Sequence, residues 1–354
     1  MTLRAAIRLV PVVLVACGDP AGSPSAGSSG AAGSSGAASS SSSSTPAADT
    51  SGNATASSST TAPGTTSSGP GPTTDAGGDT TTGELVPCAG DLPTAWPDGL
   101  DCSVPEIAVH RYDDDTFILR QSLCTSFEGP FLYLLFGEDR VLLEDTGAGG
   151  IDVAGAVGGV IEQWLAERGR DSIELVVVNS HAHGDHVAGN PMFMGLPGVT
   201  VVTPSVAGVS SFFGIDGWPE QVVQYDLGAR VIDVIPIPGH QSSHIAIFDH
   251  ATGWLLTGDT LYPGRLYIDD FAAYVDSIGR LVDSVPADAV CNVMGTHVEM
   301  TDVPGVDFDF GADEHPDEHA LPLEYDHLLE LRAAVEAMGS PQLEIHDDFI
   351  IYPL

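Results

Sequence analysis

The stretch "VVVNSHAHGDHVAGN", residues 176–190, sets an apolar run directly before three histidines and one aspartate packed into six positions. A polar turn needs a glycine and small polar residues; imidazole and carboxylate together are the ordinary ligands of zinc and similar divalent ions. In extended chain, side chains two residues apart point the same way, so His181 and His183 can reach one metal. Gly184 then permits a sharp turn, letting Asp185 and His186 face a second point. Two metal points so close require further ligands, which later strands must supply.

Three later stretches supply them. "PGHQSSH" (238–244) carries His240, "GDTLYPGRLY" (258–267) carries Asp259, and "GTHVEM" (295–300) carries His297. Each follows an apolar run and a small glycine, the pattern of a site built along one edge of a sheet. Runs of β-branched and aromatic residues predict strands over 107–112, 116–121, 131–136, 141–144, 173–179 and 200–203. Further strands are predicted over 230–235, 244–248, 253–256, 289–294 and 348–352. Helical periodicity predicts helices over 152–169, with Gly169 as the stop, over 269–284 and over 323–338. Strands leading into a helix occur twice. This suggests two sheets packed face to face with helices outside, although spacing alone equally allows other α/β layers.

The ordered set "HAHGDH", "PGH", "GDT" and "GTH" resembles the metallo-β-lactamase fold superfamily of metallohydrolases, over about residues 105–300. That resemblance implies an α/β fold of the four-layer αββα sandwich type. It also implies a ligand set: His181, His183 and His240 on one metal, Asp185, His186 and His297 on the other, and Asp259 bridging both. The cofactors implied are two divalent metal ions, zinc first, with iron or manganese accepted by the same donors. The chemistry implied is hydrolysis of a lactone, thioester or ester by a metal-bridging hydroxide that Asp185 orients. With a bridging aspartate and no cysteine at a ligand position, the chain is more similar to glyoxalase II and the lactonases than to β-lactamases proper. β-Lactam hydrolysis and iron-dependent redox chemistry stay open as alternatives. Tyr262 matches the position where lactonases carry a tyrosine that contacts the substrate carbonyl, with packing beside the site as the other reading. Asp145 in "LLEDTG" matches an aspartate near the metals and is expected to brace a ligand from behind.

Other residues are open to two readings. Phe212, Phe213 and Trp218, in the Gly-interrupted connection 210–218, could line a substrate pocket or pack in the core. Arg265 could bind a substrate carboxylate or pair with a neighbouring acid. The run "DEHPDEH" reads as an exposed acidic loop. His244, His315, His319 and His346 are not assigned to the metal set.

All eleven basic residues are arginines, against 49 acidic residues, for a formal net charge of −38. So negative a chain repels phosphate backbones, which argues against a nucleic-acid partner and leaves a small-molecule substrate. The absence of lysine excludes Schiff-base chemistry through a lysine side chain. Residues 1–16 read as an export signal, with Arg4 and Arg8 before a short apolar run ending "LVAC". That ending resembles a bacterial lipobox, implying lipidation at Cys17 and a lipid-anchored, exported protein of the cell envelope. Residues 17–84 are almost all Gly, Ala, Ser, Thr and Pro, a composition that cannot offset its own ordering entropy. They read as a disordered tether with a reach of roughly 45 Å, leaving 85–354 as the hydrolase domain. Four cysteines remain after Cys17, and an oxidising compartment favours pairing them. Proximity in sequence predicts Cys88–Cys102, which leaves Cys124–Cys291 by elimination.

Overall fold

A computed structural model describes Cys88 and residues 90–354. The expected signal, the lipidation site Cys17 and the tether lie outside the described residues.

The first sheet comprises β1 (Ile107–Arg111), β2 (Thr116–Gln121), β3 (Phe131–Phe136), β4 (Arg140–Glu144), β5 (Glu174–Val178) and β6 (Val199–Val201), adjacent in that order. Its first four strands pair antiparallel, and β4, β5 and β6 are parallel. Helix α1 (Val153–Arg168) crosses from β4 to β5. It starts where Asp152 accepts a hydrogen bond from the Gly155 amide and stops at the left-handed Gly169, as the periodicity predicts. The short helices α2 (Gly184–Val187) and α3 (Asn190–Phe193) follow β5.

After α4 (Val206–Phe213) come β7 (Val223–Asp226), β8 (Val231–Pro236), β9 (Ile245–Asp249) and β10 (Trp254–Gly258). Then follow β11 (Arg265–Ile268), α5 (Phe271–Ser284), β12 (Asn292–Gly295), β13 (Pro322–Leu323), α6 (Tyr325–Ala337), β14 (Glu344–Ile345) and β15 (Ile350–Pro353). The second sheet runs β13-β12-β10-β9-β8-β7, and a small third sheet runs β11-β15-β14. Strands β8, β10 and β12 point the same way, because β9 is antiparallel to both β8 and β10 while β12 is parallel to β10.

Alternation along the strands builds the layers. Ile118, Tyr133, Leu135 and Leu142 meet Ile232, Val234, Ile247 and Trp254 in one core between the sheets. The residues between them, Phe117, Leu132, Leu134 and Leu143, face α1 through Val157, Ile161 and Trp164. On the far side of the second sheet, Ile235, Phe248 and Leu255 pack with Tyr274, Ile278, Leu328 and Leu331 of α5 and α6. The result is the αββα sandwich.

Two expectations are corrected, and a small sheet is added to the two expected. The disulfides are Cys88–Cys291 and Cys102–Cys124. The described chain begins beside the base of β12, so Cys88 meets Cys291, and the loop after β2 brings Cys124 to Cys102. Nearness in sequence was a poor guide to nearness in space. Part of the connection expected over 210–218 is instead the end of α4, capped by Ser205 and stopped at the left-handed Gly214. The third sheet pairs β11 with β15, two segments far apart in sequence. No helix among the described residues is long and apolar enough to cross a membrane.

One ion pair fastens the two main sheets. Arg230 donates to both carboxylate oxygens of Asp249, at 3.0 and 2.7 Å, and also to Asp115 O, Phe136 O and Thr116 Oγ1 of the first sheet. Burial raises the Asp249 carboxyl's proton affinity, but the adjacent Arg230 guanidinium outweighs this and holds its pKa below the ordinary range. The depressed pKa makes this contribution present above the unfolded value of about 3.9, and it is lost as pH falls through the folded value. Asp249→Ala strands a buried guanidinium and is expected to cost about 3–5 kcal/mol in urea unfolding at pH 7. The gap between wild type and variant should shrink on acidification; equal stability at pH 7 would refute the clamp.

Candidate metal centre

Strand β5 ends at Val178, and after Asn179 and Ser180 the chain turns out of the sheet with His181 buried and His183 exposed. The turn itself differs from expectation. Gly184 is the first residue of α2, outside the left-handed region, with open space where a Cβ would stand. The start of a helix, and no special glycine conformation, therefore swings Asp185 and His186 round. His240 follows β8, Asp259 follows β10 and His297 follows β12, three co-directional strands ending at one edge. Gly258, at the end of β10, does require glycine: its φ is 52°, and a Cβ there would lie 2.3 Å from His244 Nε2.

The seven expected ligands converge as two sets. In one, His181 Nε2, His183 Nδ1 and His240 Nε2 lie 2.9–3.1 Å apart. Asp259 Oδ2 stands 3.6 Å from His181 Nε2 and 3.4 Å from His240 Nε2. In the other, Asp185 Oδ2 is 3.0 Å from His186 Nε2 and 3.1 Å from His297 Nε2. The two oxygens of Asp259 reach His186 and His297 as well, each at 3.4 Å. Asp259 thus belongs to both sets. Tetrahedral zinc with bonds of about 2.0–2.1 Å holds its ligand atoms about 3.3–3.4 Å apart, and both sets are close to that spacing.

Hydrogen bonding behind the imidazoles shows why a cation fits here. Asp145 accepts from His186 Nδ1, from the Ser180 amide and from Ser180 Oγ, each at 2.8 Å. Having donated to Asp145, Ser180 Oγ accepts from His181 Nδ1 at 3.1 Å. His240 Nδ1 donates to Tyr267 O at 2.6 Å and His297 Nδ1 to Glu128 O at 2.8 Å. Each of these four rings has committed its outer N–H, so the inner nitrogens turn lone pairs towards one another and towards a buried carboxylate. Such an arrangement is repulsive unless protons or metal ions lie between the groups.

The proton affinities follow. Burial and neighbouring imidazoles push His181 well below the ordinary histidine range. Burial also opposes charge at His186, but Asp259, Asp145 and Asp185 outweigh it and hold that ring well above the range. His297 rises to about 9, with Asp259 and Asp185 overcoming burial.

The remaining predicted residues divide. Asp145 accepts from His186 Nδ1 from a left-handed backbone (φ 66°) that aspartate tolerates. Tyr262 lines the cleft above the donors, but its hydroxyl donates to Arg265 O, with Glu299 Oε2 at 3.2 Å. Arg265 is buried against Asp307 at 2.7 Å and Glu299 at 3.6 Å, and is not among the residues lining the cleft. Phe212, Phe213 and Trp218 pack in or against the inter-sheet core and are not among the residues lining the cleft. Sequence reasoning missed Ser180, the carbonyls of Glu128 and Tyr267, and Thr296, whose hydroxyl donates to Asp259 Oδ1 at 2.5 Å. Ser180 and Thr296 sit within or beside the quoted motifs and were findable; a backbone carbonyl leaves no trace in side-chain pattern.

A profile of the family described as "Metallo-beta-lactamase superfamily" matches residues 127–335. The chain is similar to a hydroxyacylglutathione hydrolase of Methylococcus capsulatus, 35% identical over 131 residues, covering 36% of this chain and 50% of that protein. Another relative of the same name, from Rhizobium meliloti, is 31% identical over 109 residues, covering 30% of this chain and 42% of that protein. The chain thus spans about half the length of these curated relatives. Among solved structures, a metallo-beta-lactamase from Pontibacter korlensis aligns at 15% identity and a TM-score of 0.44, over 66% of this chain and all of that one.

Asp145→Asn keeps the residue's tolerance of a left-handed backbone and removes its charge. It is expected to weaken binding of the second zinc equivalent by about 10- to 100-fold, read by competition with a chromophoric chelator. Unchanged affinity would detach Asp145 from the centre.

Proposed function

The chain belongs to the metallo-β-lactamase superfamily, and from that premise we propose a dinuclear metal-dependent hydrolase acting on the carbonyl of a lactone, thioester or ester. The observation that carries this reading is Asp259, one carboxylate shared by two complete donor sets. His181, His183 and His240 would hold one divalent ion, Asp185, His186 and His297 the other, with zinc the first expectation and iron or manganese compatible. When bound, such a pair supplies a water-derived nucleophile at neutral pH and Lewis-acid polarisation of a carbonyl.

The chain's own groups then have defined tasks. Asp145, Ser180 and the carbonyls of Glu128 and Tyr267 fix the ring orientations, so the donors need little reorganisation on loading. Asp185, partly exposed in the lining of the cleft, would orient the attacking water and accept its proton. A hydrogen bond from Tyr262 to the substrate carbonyl requires its hydroxyl to leave Arg265 O, so Tyr262→Phe is the control for that role. Similarity to hydroxyacylglutathione hydrolases supports thioester cleavage as one member of the substrate class. β-Lactam hydrolysis gains no support from the cysteines, since the four described ones are in disulfides and none is among the donors.

The proposed location is the cell envelope, with a lipid anchor at Cys17; two disulfides in the described residues agree with an oxidising compartment. Cys17→Ser is expected to move the protein from the membrane to the soluble fraction, and unchanged fractionation would remove the anchor.

Metal analysis of the purified chain is expected to return two equivalents, with turnover of at least one lactone, thioester or aryl ester. Asp259→Ala should lose the paired metal content and lower kcat/KM by at least about a thousandfold, as for loss of a core electrostatic group. Full turnover in that variant would sink the mechanism. Redox-active iron with oxygen consumption would replace it with the oxidative alternative.

A further inference from the structure

The cleft above the donors, about 570 Å³ in volume, has an uneven wall. At its rim Phe127 is 39% exposed and Phe310 is 75% exposed, and the two rings meet edge to face at 5.7 Å. A single exposed phenylalanine on a protein surface is ordinary. Two in contact, from segments far apart in the chain and both lining the same cleft, make an apolar lip.

Below the lip the wall is acidic. Glu128, Asp269 and Glu299 line the cleft, and no arginine is among its lining residues. The nearby Arg265 is committed to Asp307, Glu299 and Phe308 O. Among the described residues no arginine pairs with Glu128 or Asp269. A ligand arm carrying carboxylates would therefore meet like charge within a Debye length of about 8 Å, on a chain of net charge −38. Cations at the donors would attract a carboxylate that reached them, so the repulsion bears on one held beyond the reacting carbonyl, beside Glu128 and Asp269, where no arginine compensates.

Resting on the carbonyl-hydrolase reading, we propose that the substrate's arm beyond the reacting carbonyl is uncharged and apolar. Phe127 and Phe310 receive that arm, and Glu128 and Asp269 exclude carboxylate-bearing analogues. Glutathione thioesters and penicillin-type β-lactams, which carry carboxylates, are accordingly poor substrates of this chain.

Two paired measurements on the zinc-loaded full chain test this. The first compares kcat/KM for para-nitrophenyl hexanoate and the para-nitrophenyl monoester of glutarate, with the acetate as a short control. The hexanoate is expected to exceed the glutarate by about tenfold or more, and Glu128→Gln to narrow that gap. Phe310→Ala should lower the hexanoate value by about threefold to tenfold and leave the acetate within about twofold. The second measures binding of two non-hydrolysable ketones of equal length, methyl hexyl ketone and oxooctanoate, by calorimetry; the neutral ketone should bind about tenfold tighter. Equal or better use of the glutarate ester overturns the inference, as does tighter binding of oxooctanoate. A Phe310→Ala effect independent of chain length overturns it too. If no ester, thioester or lactone is turned over, the hydrolase reading fails, and the ketone pair still decides the charge preference.

Discussion

Everything at the open edge of this sandwich is organised around the buried carboxylate of Asp259. It stands 3.4–3.6 Å from imidazole nitrogens delivered by both sheets, His181 and His186 from the first and His240 and His297 from the second. A carboxylate so enclosed requires positive charge around it, whether carried by protonated rings or by metal ions. That demand couples the chemistry to the fold. The two sheets must keep their relative position to within a fraction of an ångström for the donor atoms to close on one point.

The chain meets the demand with few cations. Without lysine, three buried arginines hold the frame against acids or carbonyls distant in sequence. Arg230 joins the sheets at Asp249 and Asp115 O, and Arg120 forms a buried two-pronged pair with Glu318 at 2.5 and 2.7 Å. Arg265 ties β11 to Asp307 and Phe308. Replacing any of these by lysine would keep the charge and lose the fork that reaches two acceptors at once. Positive charge is thus placed in the frame, and the walls of the cleft are left without it.

Most of the architecture was legible because it follows from periodicity and from ligand chemistry. The strands from 107 to 144 and the helices after Asp152 and Asp270 carry a two-sided pattern that only a layered packing satisfies. The seven donors were legible because few residue types bind divalent ions and each lies where a strand ends. What was not legible depends on proximity in space. The disulfide partners, the β11–β15 pairing and the cleft wall are contacts between segments whose separation no local pattern encodes. Helix α4 escaped because Gly208, Ser210 and Ser211 dilute its apolar face over only eight residues. Gly184 misled in the other direction: a glycine in a turn suggested special geometry where an ordinary helix start was enough.

The Cys88–Cys291 bridge, which spans 203 residues of sequence, also sets where a force applied at Cys88 would enter the domain. A pull transmitted from the residues before Cys88 does not have to pass through 90–106 and peel β1 from the margin of the first sheet. It crosses the sulfurs to Cys291 at the foot of β12, a strand hydrogen-bonded on both sides by β10 and β13. The same strand ends in the loop that presents His297, so the bridge fastens the chain at one end of the strand whose other end carries a candidate metal donor.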